Sequence, residues 1–250
     1  MSTQQNLTIE EVLAQSVPLG HRVDKVLVGH NWTMVRSGSL CGIARSPSRD
    51  TEGARSVRPD DGFKGMELRD LAAYLVSDNH LARSIGLAAV NCFWNHKDAD
   101  YPELVEVGGF SGLEPPGDGV LIIGGFRGAL RRLTNARIVE REPKFESDIH
   151  ADDAAPYIAK AKVLAITAQT LMNDTLQGIL DNAQNVPRRI LIGPSAPLCP
   201  LLFNHGITEV SAVVVQDADA AEEYIGETGT MMRDHIAKSV YLLTSQTSSV

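Results

Sequence analysis

The sequence predicts an α/β protein in which a small α+β domain precedes a mostly parallel sheet. Three observations carry this. Short apolar runs near 120, 138, 163, 190 and 209 alternate with helical segments, as strands buried on both faces do. Residues 22–44 instead hold three closely spaced strand patterns joined by short turns, the mark of an antiparallel meander. Between these regions, residues 98–118 carry Gly108-Gly109 and Glu114-Pro115-Pro116-Gly117-Asp118, a run of turn formers that reads as a boundary. The expected domains are 1–112 and 118–250, and 250 residues suffice for two modest domains.

The first helix is expected over 7–17, with Thr8 as N-cap and Glu11 completing a capping box. Strands follow at 22–29, 31–35 and 40–44, the last two joined by a turn at Ser37-Gly38. Residues 45–65 are polar and aperiodic and read as a mobile surface loop, a lid in the functional version of that reading. A helix at 67–76 and a strongly apolar one at 80–94 come next, with Ser77-Asp78-Asn79 capping the second. Gly86 lies inside that helix, where close packing on the sheet would explain it.

In the second half, strands are expected at 120–123, 136–139, 162–166, 190–192 and 209–215, with helices at 126–133, 152–160, 171–182, 218–224 and 231–243. The apolar part of the last helix, 236–243, could pack on its own domain or on a second chain in a homo-oligomer.

Composition narrows the function. The net charge of −8 and an isoelectric point near 5.4 argue against nucleic acid or an anionic membrane as main partner. Aromatic residues make up only 5%, too few for broad base-stacking surfaces. No apolar run approaches a membrane span, and the start lacks a signal-peptide pattern. Three scattered cysteines, Cys41, Cys92 and Cys199, suit a reducing cytoplasm better than a disulfide framework.

Ligands of open α/β sheets bind at the carboxyl ends of the strands, so those ends are where chemistry is sought. Gly124-Gly125-Phe126 forms a glycine-rich strand-to-helix turn without the full nucleotide-loop spacing; a tight turn explains it as well as an anion cradle does. Glu140 ends the next strand, where a carboxylate can accept ribose hydroxyls or pair with Arg131 or Arg141. Thr167 stands near the start of ITAQTLMNDTL, in which Thr170, Asn173 and Thr175 surround a helix start and can cap it or face a ligand. Gly193-Pro194-Ser195 opens a stiff three-proline loop; Ser195 lacks a nucleophile elbow and suits hydrogen bonding to a polar or anionic ligand. Cys199 is either an apolar filler or a soft metal ligand, and the seven histidines show no ligand-spaced pair. Trp32 and Asn79, from the first half, are expected to close over the strand ends. If a catalytic base exists, Glu140 is the first candidate and Asp217 the second.

VLVGHNWTMV (26–35), SDNHLARSIGLAAVNC (77–92), VLIIGGF (120–126), IVEREP (138–143), AKVLAITAQTLMNDTL (161–176) and ILIGPSAPLCPLLFNHGITEVSAVVVQD (190–217) together resemble the putative heavy-metal-chelation family. The resemblance runs over nearly the whole chain. It implies an enolase-N-terminal-like α+β domain joined to a Rossmann-like domain, with the site in the interdomain cleft. Its motif positions fall on Gly29, Trp32, Asn79, Gly86, Gly124, Phe126, Glu140, Thr167, Asn173, Thr175, Gly193, Pro194, Ser195 and Asp217. Three functions are then expected. The leading one is binding of a polar or anionic small molecule or metal chelate in the interdomain cleft, either as a binding protein or as an enzyme of metal-chelator or metal-cofactor metabolism. The second is an enzyme using S-adenosylmethionine or a nicotinamide nucleotide. The third is a non-enzymatic carrier or sensor of a metal ion.

Overall fold

The computed structural model describes residues 7–48, 53, 55–99, 101, 104–230 and 235–244. It confirms the mixed α/β class, and the chain divides into two compact units. One comprises Met1–Ala99, Leu171–Asn173 and Val213–Ser239; the other comprises Asp100–Thr170, Asp174–Ala212 and Val240–Val250.

The first unit opens with helix α1 (Ile9–Ser16). The Thr8 hydroxyl accepts from Glu11 N while the Thr8 N–H donates to the Glu11 carboxylate, so the capping box forms as the local sequence dictates. Strands β1 (Lys25–Val28), β2 (Trp32–Ser37) and β3 (Leu40–Arg45) make the antiparallel meander. Helices α2 (Leu68–Ala72) and α3 (His80–Trp94) follow, α2 continuing into a 3-10 turn at Ala73–Val76. Asn79 caps α3, its side-chain oxygen accepting from Leu81 N and Ala82 N at 2.9 and 3.2 Å.

Both faces of the meander are covered, which is why β2 and β3 are buried almost throughout. Gly42 and Thr33 lie against α3. Trp32, Met34, Cys41 and Ile43 pack with Ala221 and Ile225. Gly86 departs from the expected sheet contact: a Cβ there would lie 2.2 Å from Leu75 N, so its close neighbour is the 3-10 turn. The glycine that lets α3 approach the sheet is Gly42.

The larger sheet is built from β4 (Leu104–Val105), β5 (Val120–Ile123), β6 (Arg137–Glu140), β7 (Ile149–His150), β8 (Val163–Thr167), β9 (Arg188–Ile192), β10 (Glu209–Val215) and β11 (Ala237–Leu243). Their spatial order is β4-β11-β10-β9-β8-β5-β6-β7. Strands β5 to β10 run parallel where they pair with one another, and β11 pairs antiparallel with β4. Short helices α4 (Ala155–Ile158) and α5 (Leu176–Asn182) and the 3-10 turn at Arg127–Arg131 connect these strands; α6 (Ala218–Gly226) follows β10. Leu113, Val120, Ile122, Leu133, Ile138, Ala165, Ile190 and Ile192 form one core cluster.

The expected closing helix at 231–243 is corrected. Residues 231–234 lie outside the described residues, and Ala237–Leu243 is strand β11, with Tyr241 opposite Val105 and Leu242 opposite Leu104. A β-branched and aromatic pair, Val240-Tyr241, suits a strand once an edge is free to receive it. The segment therefore supplies neither a helix on its own domain nor one for a second chain. Part of the expected 45–65 loop, residues 49–52 and 54, also falls outside the described residues. Among the described residues no helix is long and apolar enough to cross a membrane.

Candidate functional site

The chain order around β5 locates the site. From β5 the chain moves to β6 and β7 on one side; it returns to β8 on the other and continues to β9 and β10. Strand order therefore reverses between β5 and β8, and at such a switch point the connections leave on opposite sides and open a crevice at the carboxyl ends. Gly124, directly after β5, and Thr167, the last residue of β8, stand at that point.

Two glycines there are required by contact. Gly124 has φ +99°, and a Cβ on it would sit 2.9 Å from Thr167 Cγ2. A Cβ on Gly125 would lie 2.9 Å from Glu140 Oε1, so the Glu140 carboxylate rests against the bare Gly125 backbone. Glu140 forms no ion pair with Arg131 or Arg141, and among the described residues its carboxylate has no hydrogen-bond partner. Arg127 contributes a positive field nearby, but its guanidinium is committed to Asp148 through two bonds of 3.0 and 2.5 Å.

Asp148 organises this flank. It also accepts from Lys144 N and Phe145 N, and Arg127 lies over the Phe145 ring at 4.5 Å. The Arg127 hydrogen bond, helped by the two backbone donors, holds the Asp148 carboxyl down at about 2, below its ordinary 3.8. The folded state thus favours the carboxylate. That stability is present in full above the ordinary value and is lost as the pH falls toward 2. The stability difference between the wild type and Asp148→Asn is expected to be constant above about pH 5 and to shrink between pH 4 and pH 2, as read by urea unfolding at each pH.

On the other side of the switch point, Phe126 forms an aromatic wall. Its ring meets Phe110 edge-on at 5.3 Å between centroids, and Gly193, at φ +125°, faces it with room for a Cβ 3.6 Å from the ring. Pro194 is half-buried and Ser195 is buried. The structure thus brings Gly124, Gly125, Phe126, Glu140, Thr167 and Gly193 to one edge, with Pro194 and Ser195 following Gly193 in the loop.

The remaining predicted residues are placed elsewhere or occupied. Thr170 turns its hydroxyl back to the Thr167 carbonyl at 2.7 Å. Thr175 stands at the N-cap of α5 without capping it through its side chain, and Asn173 belongs to the first unit. Asp217 is in the first unit as well; its Oδ1 caps α6 by accepting from Asp219 N and Ala220 N. Trp32 is packed in the apolar cluster with Arg45 over its ring at 5.3 Å, and Asn79 serves α3 as its cap. Phe110 was not anticipated; its only sequence signal is the glycine-rich stretch that carries it.

A resident metal finds little to hold it. Among the described residues no group of three His, Cys, Asp or Glu side chains is arranged to bind an ion. Burial pushes the Cys41 thiol up to about 12 and raises Cys92 well above its ordinary value, so neither offers a thiolate at neutral pH.

Fold and site together define a mixed α/β protein with a strand-end crevice at a topological switch point. Family models described as putative heavy-metal chelation match residues 10–93 and 112–241, and the chain belongs to that family. An uncharacterized protein of Methanocaldococcus jannaschii is 36% identical over 91 residues, which are 35% of this chain and 35% of that one. A DUF364-family protein of unknown function from Desulfitobacterium hafniense shares the fold with a TM-score of 0.79 at 24% identity, covering 94% of this chain and 97% of that one. Another from Pyrococcus horikoshii does so with a TM-score of 0.77 at 16% identity, covering 94% and 98%.

Proposed function

We propose that the parallel-sheet unit binds a polar, hydroxyl-bearing small molecule or its metal chelate at the carboxyl ends of β5, β6, β8 and β9. The observation that carries this is the unpartnered Glu140 carboxylate lying against Gly125 at the switch point. A carboxylate with open acceptor sites can take two hydroxyl protons of a diol, and the side-chain-free backbone beside it lets a ligand approach closely. Phe126 would cover an apolar part of the ligand. The metal named in the family description then arrives as cargo held by the small molecule, since the described donors do not assemble a cage.

The same observation favours a second reading. A carboxylate ending the strand next to a glycine turn is where a ribose is held in nucleotide-binding sheets, so S-adenosylmethionine or a nicotinamide nucleotide is the alternative ligand.

Thermal unfolding of the protein tests both, with S-adenosylmethionine, NAD, NADP, citrate and nickel citrate as separate probes. A ligand at 100 times its Kd adds about 2.7 kcal/mol to stability. One probe is expected to raise the wild-type Tm, and Glu140→Ala is expected to remove that shift while leaving the unliganded Tm nearly unchanged. A nucleotide shift selects the second reading and a citrate or nickel-citrate shift the first. Protection that survives Glu140→Ala, or no protection by any probe, overturns the assignment.

A further inference from the structure

The strand beside Glu140 carries an imidazole. Strand β6 lies between β5 and β7, and the parallel register sets His150 opposite Glu140. Register partners on neighbouring parallel strands leave the sheet on the same face, with backbones roughly 4.8 Å apart. Gly125 therefore borders the Glu140 carboxylate on one side, and His150 stands on the other. The His150 side chain is 44% exposed, so its ring is open to a ligand. Among the described residues no hydrogen bond joins the ring to Glu140.

The local backbone fixes which ring nitrogen holds the proton. The Asp152 backbone N–H donates to His150 Nδ1 at 3.2 Å, and the ring thereby caps the short turn Ala151–Asp153. A backbone N–H can only donate, so Nδ1 presents its lone pair. The Asp152 carboxylate lies 3.5 Å from Nδ1, too far for a hydrogen bond that would place the proton there instead. A neutral imidazole carries one N–H, which therefore sits on Nε2. Nε2 has no partner among the described residues. The two neighbouring strands thus present an open acceptor, Glu140, beside an open N–H donor, His150.

We propose that His150 completes the Glu140 site by donating its Nε2 proton to the oxygen of the ligand hydroxyl whose own proton goes to Glu140. This role for His150 rests on Glu140 being a ligand-binding carboxylate. It narrows the ligand to an alcohol, such as a ribose or a hydroxy acid. An alcohol hydroxyl gives one proton and accepts another, so it satisfies both side chains at once. An ether or ketone oxygen in its place leaves Glu140 without a proton, and an ammonium group leaves the His150 N–H without an acceptor.

The test sets hydroxyl-bearing probes against analogues that lack the hydroxyl: adenosine against its 2′-deoxy and 3′-deoxy forms, and citrate against tricarballylate. The full chain is titrated at pH 8, with the His150 ring followed by long-range ¹H–¹⁵N correlation and affinities read from the backbone amides of residues 124–126. The free ring is expected in the Nε2–H form. Adenosine or citrate is expected to shift the Nε2 resonance saturably and to bind roughly tenfold more tightly than a hydroxyl-lacking analogue. Which of the two responds identifies a nucleoside or a hydroxy acid as the source of the hydroxyl. His150→Asn keeps an oxygen near the place of Nδ1 to cap the turn but has no donor at the reach of Nε2. It is expected to weaken the responding probe roughly tenfold and its analogue little, and His150→Gln, whose amide N–H reaches further, is expected to restore part of the loss. Affinity lost in Glu140→Ala but unchanged in His150→Asn overturns the role of His150 and leaves that of Glu140 standing. An Nδ1–H ring in the free protein, or a loss in His150→Asn that is equal for probe and analogue, does the same. Binding of neither adenosine nor citrate to the wild type overturns both roles.

Discussion

Gly42→Ala is expected to cost more than about 3 kcal/mol and to leave little folded protein at 37 °C. A Cβ at this position would lie 2.0 Å from Cys92 N, 2.4 Å from Ala88 O and 2.5 Å from Asn91 C. All three are backbone atoms in α3, so no side chain can swing away to make room. The helix would have to retreat from the meander and forfeit the contacts along its whole buried face, which runs from Ala82 to Cys92. Gly86→Ala is expected to behave alike, because Leu75 N and Tyr74 C stand 2.2 and 2.7 Å from the added carbon. Gly178→Ala is the matched control: it lies in α5 with nothing within 4 Å, and replacing a helical glycine there is expected to stabilise by up to about 1 kcal/mol. Chemical denaturation of the three variants checks the ordering. A Gly42→Ala protein as stable as the wild type would show that α3 does not pack as closely as described.

Glu209→Ala is expected to destabilise the protein by about 2–3 kcal/mol, less than a fully buried ion pair would cost because the Arg188 side chain keeps 30% of its surface in water. Glu209 is 1% exposed at the start of β10. Its Oε2 accepts from Arg188 Nε and Nη2 at 3.0 and 2.7 Å, and its Oε1 accepts from Gly109 N. Arg188 Nη1 also donates to the Gly112 carbonyl at 3.0 Å, and Arg132 donates to the carbonyls of Phe110 and Leu113. One carboxylate and two arginines thus hold the backbone of residues 109–113, the stretch that sets Phe110 against Phe126. Replacing both members of the pair, with Arg188→Met and Glu209→Leu together, is expected to recover much of the loss, since no buried charge is then left alone. Calorimetric Tm values for the two single variants and the double variant measure the coupling directly. Additive losses would mean that the pair contributes nothing as a pair.

Local signals in this sequence proved reliable where the interaction closes within a few residues. The Thr8–Glu11 capping box spans three residues and forms as read. The run EVSAVVV became β10 with the expected limits, because a short valine-rich run suits a doubly covered strand whatever its neighbours. The glycine-rich end of β5 and the acidic end of β6 were legible as candidates for the same reason: strand ends are marked by their own turn residues.

What each candidate does could not be read locally. IAKSVYLL has residues that suit a helix or a strand, and the choice fell to the open sheet edge beside β10 and to β4, far away in the chain. Gly86 was legible as a packing glycine but not its partner, since the sequence does not say which backbone comes within reach. Glu140 could pair with a neighbouring arginine or stand open; the parallel register of β5 and β6 set it beside Gly125, while Arg127 was drawn to Asp148. By itself the sequence determined the meander, the parallel strands β5, β6 and β8 to β10, and where their ends carry chemistry, because those depend on spacing and on single-residue conformational preference. The tertiary structure alone decided strand order, the switch point and which polar groups were left unpaired, because those depend on contacts between residues far apart in the chain.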